Sequence, residues 1–113
     1  GSDGSWSPAV AVDELNRPGA QDARPNVRKD GLEIVFDSTR GGGAPDVYTS
    51  TLASIFDPWS APVPLSGNVN SGFAETRATL SRDGERLYFG SSRANLQTDR
   101  GSDIFVSTRP RRP

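Results

Sequence analysis

No cysteine, histidine or methionine occurs among the 113 residues. Without cysteine there are no disulfides and no thiolate chemistry. Without cysteine or histidine, the zinc sites that need those ligands are excluded. A Ser-His-Asp or Cys-His arrangement cannot form within this sequence. The lack of cysteine suits either side of a membrane and does not fix a compartment. Apolar residues are also scarce, at 33%, and no apolar run approaches the roughly 20 residues of a membrane-crossing helix. The net charge of -1 leaves no basic footprint for nucleic acid or an anionic membrane surface. The last five residues, RPRRP, read as a solvated tail. There is no initiating methionine and no signal peptide. Gly1-Ser2 reads as the scar of a protease cut, so a targeting segment can have been removed.

What the chain has in quantity is glycine and proline, 12 and 9 residues. Together with the small apolar fraction this points to a turn-rich, all-β chain with a modest core. The dominant feature is an internal repeat. KDGLEIVFDSTR, from Lys29 to Arg40, returns as RDGERLYFGSSR, from Arg82 to Arg93. In the same register Trp6 aligns with Trp59, Ser7 with Ser60, Val10 with Val63, Gly19 with Gly72 and Arg24 with Arg77. A four-residue insertion falls in the second copy within the polar stretch ANLQTDRGS. Beyond it Asp46 aligns with Asp103, Ser50 with Ser107 and Thr51 with Thr108. The copies divide the chain into residues 1–5, a scar and linker; 6–58, the first repeat; 59–108, the second; and 109–113, the basic tail.

Each copy carries four β segments. WSPAVAV or WSAPVPL comes first, ARPNVR or TRATLS second, LEIVFDS or RLYFGSS third, and DVYTST or DIFVST fourth. Asp30-Gly31 and Asp83-Gly84 join the second and third segments, and Asp-Gly is the strongest short hairpin signal. In the third segment Ile34 and Phe36 lie on one face and Val35 on the other; in the second copy Leu87 and Phe89 oppose Tyr88. A strand that is apolar on both faces is packed on both sides. No helix is expected, since proline and glycine interrupt every long window. Val12 to Asn16 is the most helix-like piece and is short.

The order Asp-Gly, then an apolar strand ending in Phe-x-Ser-x-Arg, a glycine loop, Asp-Val-Tyr or Asp-Ile-Phe, then Trp-Ser-x-Pro-Val, resembles the WD40-like β-propeller repeat of bacterial proteins, the type found in the TolB propeller. The resemblance covers Trp6 to Thr108. The copies depart from one another at the loop before the last strand, Gly41-Gly42-Gly43 against Asn95 to Arg100. A kelch repeat is the nearest rival, because Gly42-Gly43, Tyr48 and Trp59 follow its order and its period is about 50 residues. The second copy lacks the glycine pair, and no Trp follows Phe105. The repeated Asp-Gly hairpin and Ser-x-Arg ending favour the WD40-like type.

The resemblance implies an all-β fold with two four-stranded antiparallel propeller blades per chain. It also implies a bacterial periplasmic or cell-envelope setting. Closed propellers need roughly 4–8 blades, so the ring is expected to be completed by identical chains. Three chains give six blades, the number in the TolB propeller, and four chains giving eight are the second choice. In the family Trp-Ser-x-Pro-Val forms the outer strand that ends a blade. Here one such segment precedes any inner strand, and Thr108 ends a third strand that no fourth follows. The expectation is that the N-terminal strand of one chain completes the last blade of its neighbour.

Candidate functional residues follow from the same frame. Asp22, Arg24, Glu75 and Arg77 open the strands that would line the central channel, and guanidinium forks suit carboxylate or phosphate groups. Acid and base satisfying each other between blades is the structural alternative. Arg40 with Asp46, and Arg93 with Asp103, are expected to pair across the third and fourth segments and order the loop between them. Trp6 and Trp59 can stack on a sugar or pack the outer strand. The Asp-Gly residues are turn formers and do not match a calcium loop. Asp99, in the insertion, has no assigned role. The functional expectation is a non-catalytic scaffold or binding module, read as an excised or engineered two-blade unit, with no cofactor or metal and no nucleic-acid or membrane partner. The alternative is a carbohydrate-binding or carbohydrate-active propeller using paired carboxylates about 5–10 Å apart at the channel mouth. Arginines beside Asp22 and Glu75 would lower their pKa values and disfavour a general acid.

Overall fold

A computed structural model describes residues 4–67, 69–71, 73–93 and 103–110. Gly1-Ser2, Asp99 with the insertion around it, and the end of the basic tail lie outside the described residues. Among the described residues seven strands form: β1 Asp22–Val27, β2 Glu33–Ser38, β3 Asp46–Thr51, β4 Val63–Pro64, β5 Glu75–Leu80, β6 Arg86–Ser91 and β7 Asp103–Thr108. They make two antiparallel sheets, ordered β1-β2-β3-β4 and β5-β6-β7.

The Asp-Gly turns form in both copies for the same reason. Asp30 Oδ1 accepts the Leu32 amide at 2.9 Å and Asp83 Oδ1 accepts the Glu85 amide at 2.9 Å. These are local side-chain caps of the kind that make aspartate a turn residue. Gly31 and Gly84 follow at φ 78° and 74°, where a Cβ is disfavoured. The connections run longer than a two-residue hairpin: Arg28 N donates to Glu33 O at 2.8 Å, and Ser81 N to Arg86 O at 2.9 Å, before each turn begins.

A second shared feature has no signature in composition. Arg24 and Arg77 sit at φ 54° and 57°, a region that residues with a Cβ seldom occupy. Each lies where pairing with the next strand shifts register, between Ala23 and Asn26 in one sheet and between Thr76 and Thr79 in the other. These are β-bulges, and bulges re-aim the chain. Two copies of one strained conformation at aligned positions support the repeat independently of residue identity.

The two faces of β2 are both buried, as its pattern requires. Ile34 and Phe36 pack with Tyr48, Leu15 and Trp59 on one face of the first sheet. Val35 and Val47 point the other way and meet Val69, Ala78, Leu87 and Phe89. The sheets come closest along β5, which lies against β1, β2 and β3; among the described residues no Cα of β6 or β7 comes within 8 Å of the first sheet's strands. The sheets therefore splay from a shared inner edge, and side chains fill the widening gap.

The first segment of each copy departs from expectation. WSAPVPL gives only the two-residue β4, which pairs with β3 of the preceding copy through Val63 with Thr49 and Pro64 with Tyr48. Pro62 and Pro64 remove donors, which confines such a segment to a sheet edge. WSPAVAV is in no strand; Trp6 is 96% exposed. The chain then makes a single turn at Val12 to Asn16, Leu15 N to Val12 O at 3.0 Å, and no helix forms there, as expected. The described chain thus holds one four-stranded and one three-stranded sheet rather than two of four. The second sheet's outer face is uncovered, with Tyr88, Ile104 and Val106 at 45%, 83% and 52% exposure.

Candidate functional site

The inner edge of the molecule, where β1 and β5 adjoin, carries all four of the residues expected at a channel mouth. The structure divides them into two pairs. Asp22 and Glu75 are tied inward, while Arg24 and Arg77 remain exposed.

Asp22 Oδ1 accepts Arg40 Nη2 at 2.8 Å and its Oδ2 accepts the Arg17 amide at 3.0 Å. Burial pushes its pKa up, but hydrogen bonds from Arg40, Ser38 and the Arg17 amide, with the Arg40 charge, hold it below the ordinary value. Glu75 is completely buried. Its Oε1 accepts the Ser71 amide at 2.9 Å, and its Oε2 accepts the hydroxyls of Ser71 at 2.7 Å and Ser91 at 2.5 Å, with Arg93 Nη2 at 3.4 Å. Here too burial raises the pKa, and the Ser71 and Ser91 hydrogen bonds and the Arg93 charge outweigh it, so the net shift is downward.

Arg40 and Arg93 therefore do not pair with Asp46 and Asp103 as the hairpin reading proposed. Each lies past the end of its strand and folds back toward the inner strand. The Arg40 guanidinium lies 5.3 Å and 5.1 Å from the Phe36 and Tyr48 ring centres, and that of Arg93 5.4 Å and 5.0 Å from Phe89 and Phe105. At such distances the ring quadrupoles attract the cation. Arg40 Nε donates to Ser38 Oγ at 3.0 Å and Arg93 Nε to Ser91 Oγ at 2.8 Å. Arg40 Nη2 also reaches the Leu15 carbonyl, and Arg93 Nη2 that of Val69. The Ser-x-Arg ending is thus one repeated clasp: serine, arginine, two aromatic rings and an inner-strand acid. Asp46, left out of it, has a raised pKa, first through burial and then through the Glu75 charge. Asp103 opens β7 at the aligned position.

Arg24 and Arg77 converge on a residue that the sequence reading passed over. Asp37 is 2% exposed. Its Oδ1 accepts Arg24 Nη1 at 3.3 Å and its Oδ2 accepts the backbone amide of Arg77 at 3.1 Å. The left-handed bulge at Arg77 aims that amide across to the other sheet. The signal was present in the repeat: Asp37 aligns with Gly90, the one polar position of KDGLEIVFDSTR that becomes glycine.

A further ionic centre sits at the opposite end of β2. Glu33, also 2% exposed, accepts Arg28 Nη1 at 3.1 Å, Arg109 Nη2 at 2.6 Å, Arg109 Nη1 at 3.1 Å and Thr49 Oγ1 at 3.2 Å. Burial raises its pKa; the Arg109 hydrogen bond and charge, with Thr49 and Arg28, bring it below the ordinary value. Arg109, the first residue of the expected tail, also donates to the Gly84 carbonyl at 2.6 Å and so latches one sheet to the other. Beside it a cavity of about 230 Å³ is lined by Glu33, Val35, Leu65, Leu87 and Arg109.

Trp59 packs on the Ile34, Phe36 and Tyr48 cluster, and Asp30 and Asp83 serve their turns. Among the described residues no group of three or more carboxylates gathers in a way that could hold a metal ion. Neither protein-family models nor curated proteins match this chain. The all-β fold, its two antiparallel sheets and the lack of obvious catalytic machinery among the described residues are consistent with a binding module.

Proposed function

We propose that this chain is a non-catalytic, self-assembling scaffold: two blades of a β-propeller that close a ring with identical chains, three chains giving six blades. The observation that carries this is the mismatch between its two sheets. The first sheet borrows its fourth strand from the start of the second repeat, and among the described residues the second sheet has three strands. The segment that matches β4 by repeat, around Val10, is in no strand and lies beside Ile34 and Phe36 of the first sheet.

The contact inside the chain supplies the template for the contact between chains. Within the chain Val35 and Val47 meet Leu87, Phe89 and Phe105. The repeat counterparts of Val35 and Val47 are Tyr88 and Ile104, on the uncovered face. The counterparts of Leu87, Phe89 and Phe105 are Ile34, Phe36 and Tyr48, beside an apolar groove of about 410 Å³ that Val12, Leu15 and Ile34 help to line. Head-to-tail stacking places one on the other. The strand exchange then has a fixed register. Ser60 N donates to Thr51 O at 2.9 Å and Thr51 N to Ser60 Oγ at 3.0 Å, so Ser7 would take the same bonds with Thr108 of the neighbour. Val63 faces Thr49, so Val10 would face Val106. Main-chain pairing of this kind covers an open edge.

The carbohydrate-active alternative asks for free carboxylates, and both oxygens of Asp22 and of Glu75 already accept hydrogen bonds. That supports a scaffold over a glycosidase. Because the sequence has no cysteine, the register is open to direct trapping. A Val10→Cys, Val106→Cys protein should oxidise to covalent species of two and three chains, the largest being three. Disulfides confined within single chains, or none, would refute the exchange.

A further inference from the structure

At the junction between two chains the ring just proposed would contain a site that the junction within a chain does not, and on that reading we propose that it binds a carboxylate. Within the chain, the carboxylate of Asp37 sits between two donors, the Arg24 guanidinium at 3.3 Å and the Arg77 backbone amide at 3.1 Å. Asp37 projects from the same face of β2 as Val35, toward the second sheet. Its counterpart on β6 is Gly90, on the same face as Tyr88, which looks out of the chain.

At a junction between chains each part moves on by one repeat. Arg77 of one chain stands where Arg24 stands, and Arg24 of the next stands where Arg77 stands. The two arginines share the bulge conformation, at φ 57° and 54°, so the second amide is aimed as the first is. Both donors are kept. The acceptor is lost, because glycine replaces aspartate. A donor amide in a protein-lined setting without an acceptor is unfavourable, and a guanidinium with an adjacent amide matches the two oxygens of one carboxylate. Gly90 has no side chain to supply the acceptor that Asp37 supplies within the chain. A propeller of three chains would carry three such sites around its channel, alternating with three that Asp37 already closes. The ligand is an organic acid, either a small free acid or the C-terminal carboxylate of a peptide.

The test is thermal unfolding of the assembled protein in sodium acetate against sodium chloride at equal ionic strength, with oligomeric mass measured in the same solutions. Acetate should raise Tm by about 2 °C or more through binding to the folded assembly. Gly90→Asp should raise Tm without acetate and abolish the acetate response, whereas Gly90→Ala should retain the response. Acetylated Ala-Ala with a free C-terminus, compared with its amide, separates the two ligand sources: stabilisation by the free acid at lower concentration than acetate assigns the site to peptide termini, and stabilisation by acetate alone assigns it to small acids. An assembly of three chains whose Tm is the same in acetate and chloride, and unaffected by the free-acid peptide, overturns the carboxylate site and leaves the ring standing. A monomer overturns both.

Discussion

Replacing Glu75 by glutamine removes one negative charge and almost no volume, which makes it a direct probe of whether this acid is a clasp or a ligand group. The carboxylate receives four hydrogen bonds, from the Ser71 amide, from the Ser71 and Ser91 hydroxyls, and from Arg93 Nη2 at 3.4 Å. Hydrogen bonds to a charged acceptor are worth about 1.5–3 kcal/mol and neutral ones about 1 kcal/mol. Glutamine keeps one carbonyl acceptor and turns the other position into a donor, which the Ser71 hydroxyl can rotate to accept, whereas Ser91 Oγ already accepts the Arg93 amide and Nε. It leaves Arg93, with 21% of its side chain exposed, facing no anion at that end. The expected loss is about 2–3 kcal/mol, a large part of the stability of a small domain. Urea unfolding followed by tryptophan fluorescence or circular dichroism should show the midpoint fall with little change in slope. The aligned change Asp22→Asn should cost less, about 1–2 kcal/mol, because the clasp there has no equivalent of the Ser71 hydroxyl bond. A Glu75→Gln protein within about 0.5 kcal/mol of the parent, inside the usual range for surface substitutions, would refute the clasp and return Glu75 to the candidates for ligand binding.

Acid should destabilise the fold through the same carboxylates. Asp22, Glu33 and Glu75 have folded pKa values below their ordinary ones. Their contribution is present in full above the unfolded values of 3.8 and 4.5 and is lost as pH falls through the lowered folded ones. Asp46 is raised and acts in the opposite sense, easing slightly as it protonates. Urea midpoints measured at pH 7 and pH 3 should therefore fall with pH, and a flat profile would argue against buried, paired acids. Arg109→Ala should cost about 1–3 kcal/mol by removing both Glu33 contacts and the Gly84 bond, and should loosen the sheet-to-sheet contact seen by hydrogen exchange; an unchanged midpoint would make Arg109 part of a free tail. Tyr88→Glu places a charge on the uncovered face and should leave the fold intact while shifting the assembly toward single chains; unchanged mass would remove this face from the interface.

Much of the fold was legible in the sequence because it is written twice. Alignment placed the second, third and fourth segments of each copy in strands, though not the first, and the alternation of Ile34 and Phe36 against Val35 gave both packed faces. Aspartate and glycine at aligned turns announced their own geometry. The side-chain partners were less accessible. Arg40 and Asp46 flank one loop, and proximity along the chain favours pairing them. The long arginine side chain instead lies over Phe36 and Tyr48, whose attraction for a cation depends on the third dimension. The left-handed bulge at Arg24 and Arg77 is not marked by residue type, since a side chain with a Cβ seldom adopts that conformation. Asp37 escaped notice because it reads as the polar end of a strand; its meaning lies in Gly90, its mismatched counterpart.

The mass of the protein in solution tests the ring most directly. Sedimentation equilibrium or native mass spectrometry at micromolar concentration should give three times the 12.1 kDa of one chain, in a closed species that does not grow with concentration. Four times that mass would keep a head-to-tail ring with eight blades. A species of 12.1 kDa at that concentration would contradict the assembly outright, since Tyr88, Ile104 and Val106 would then face water.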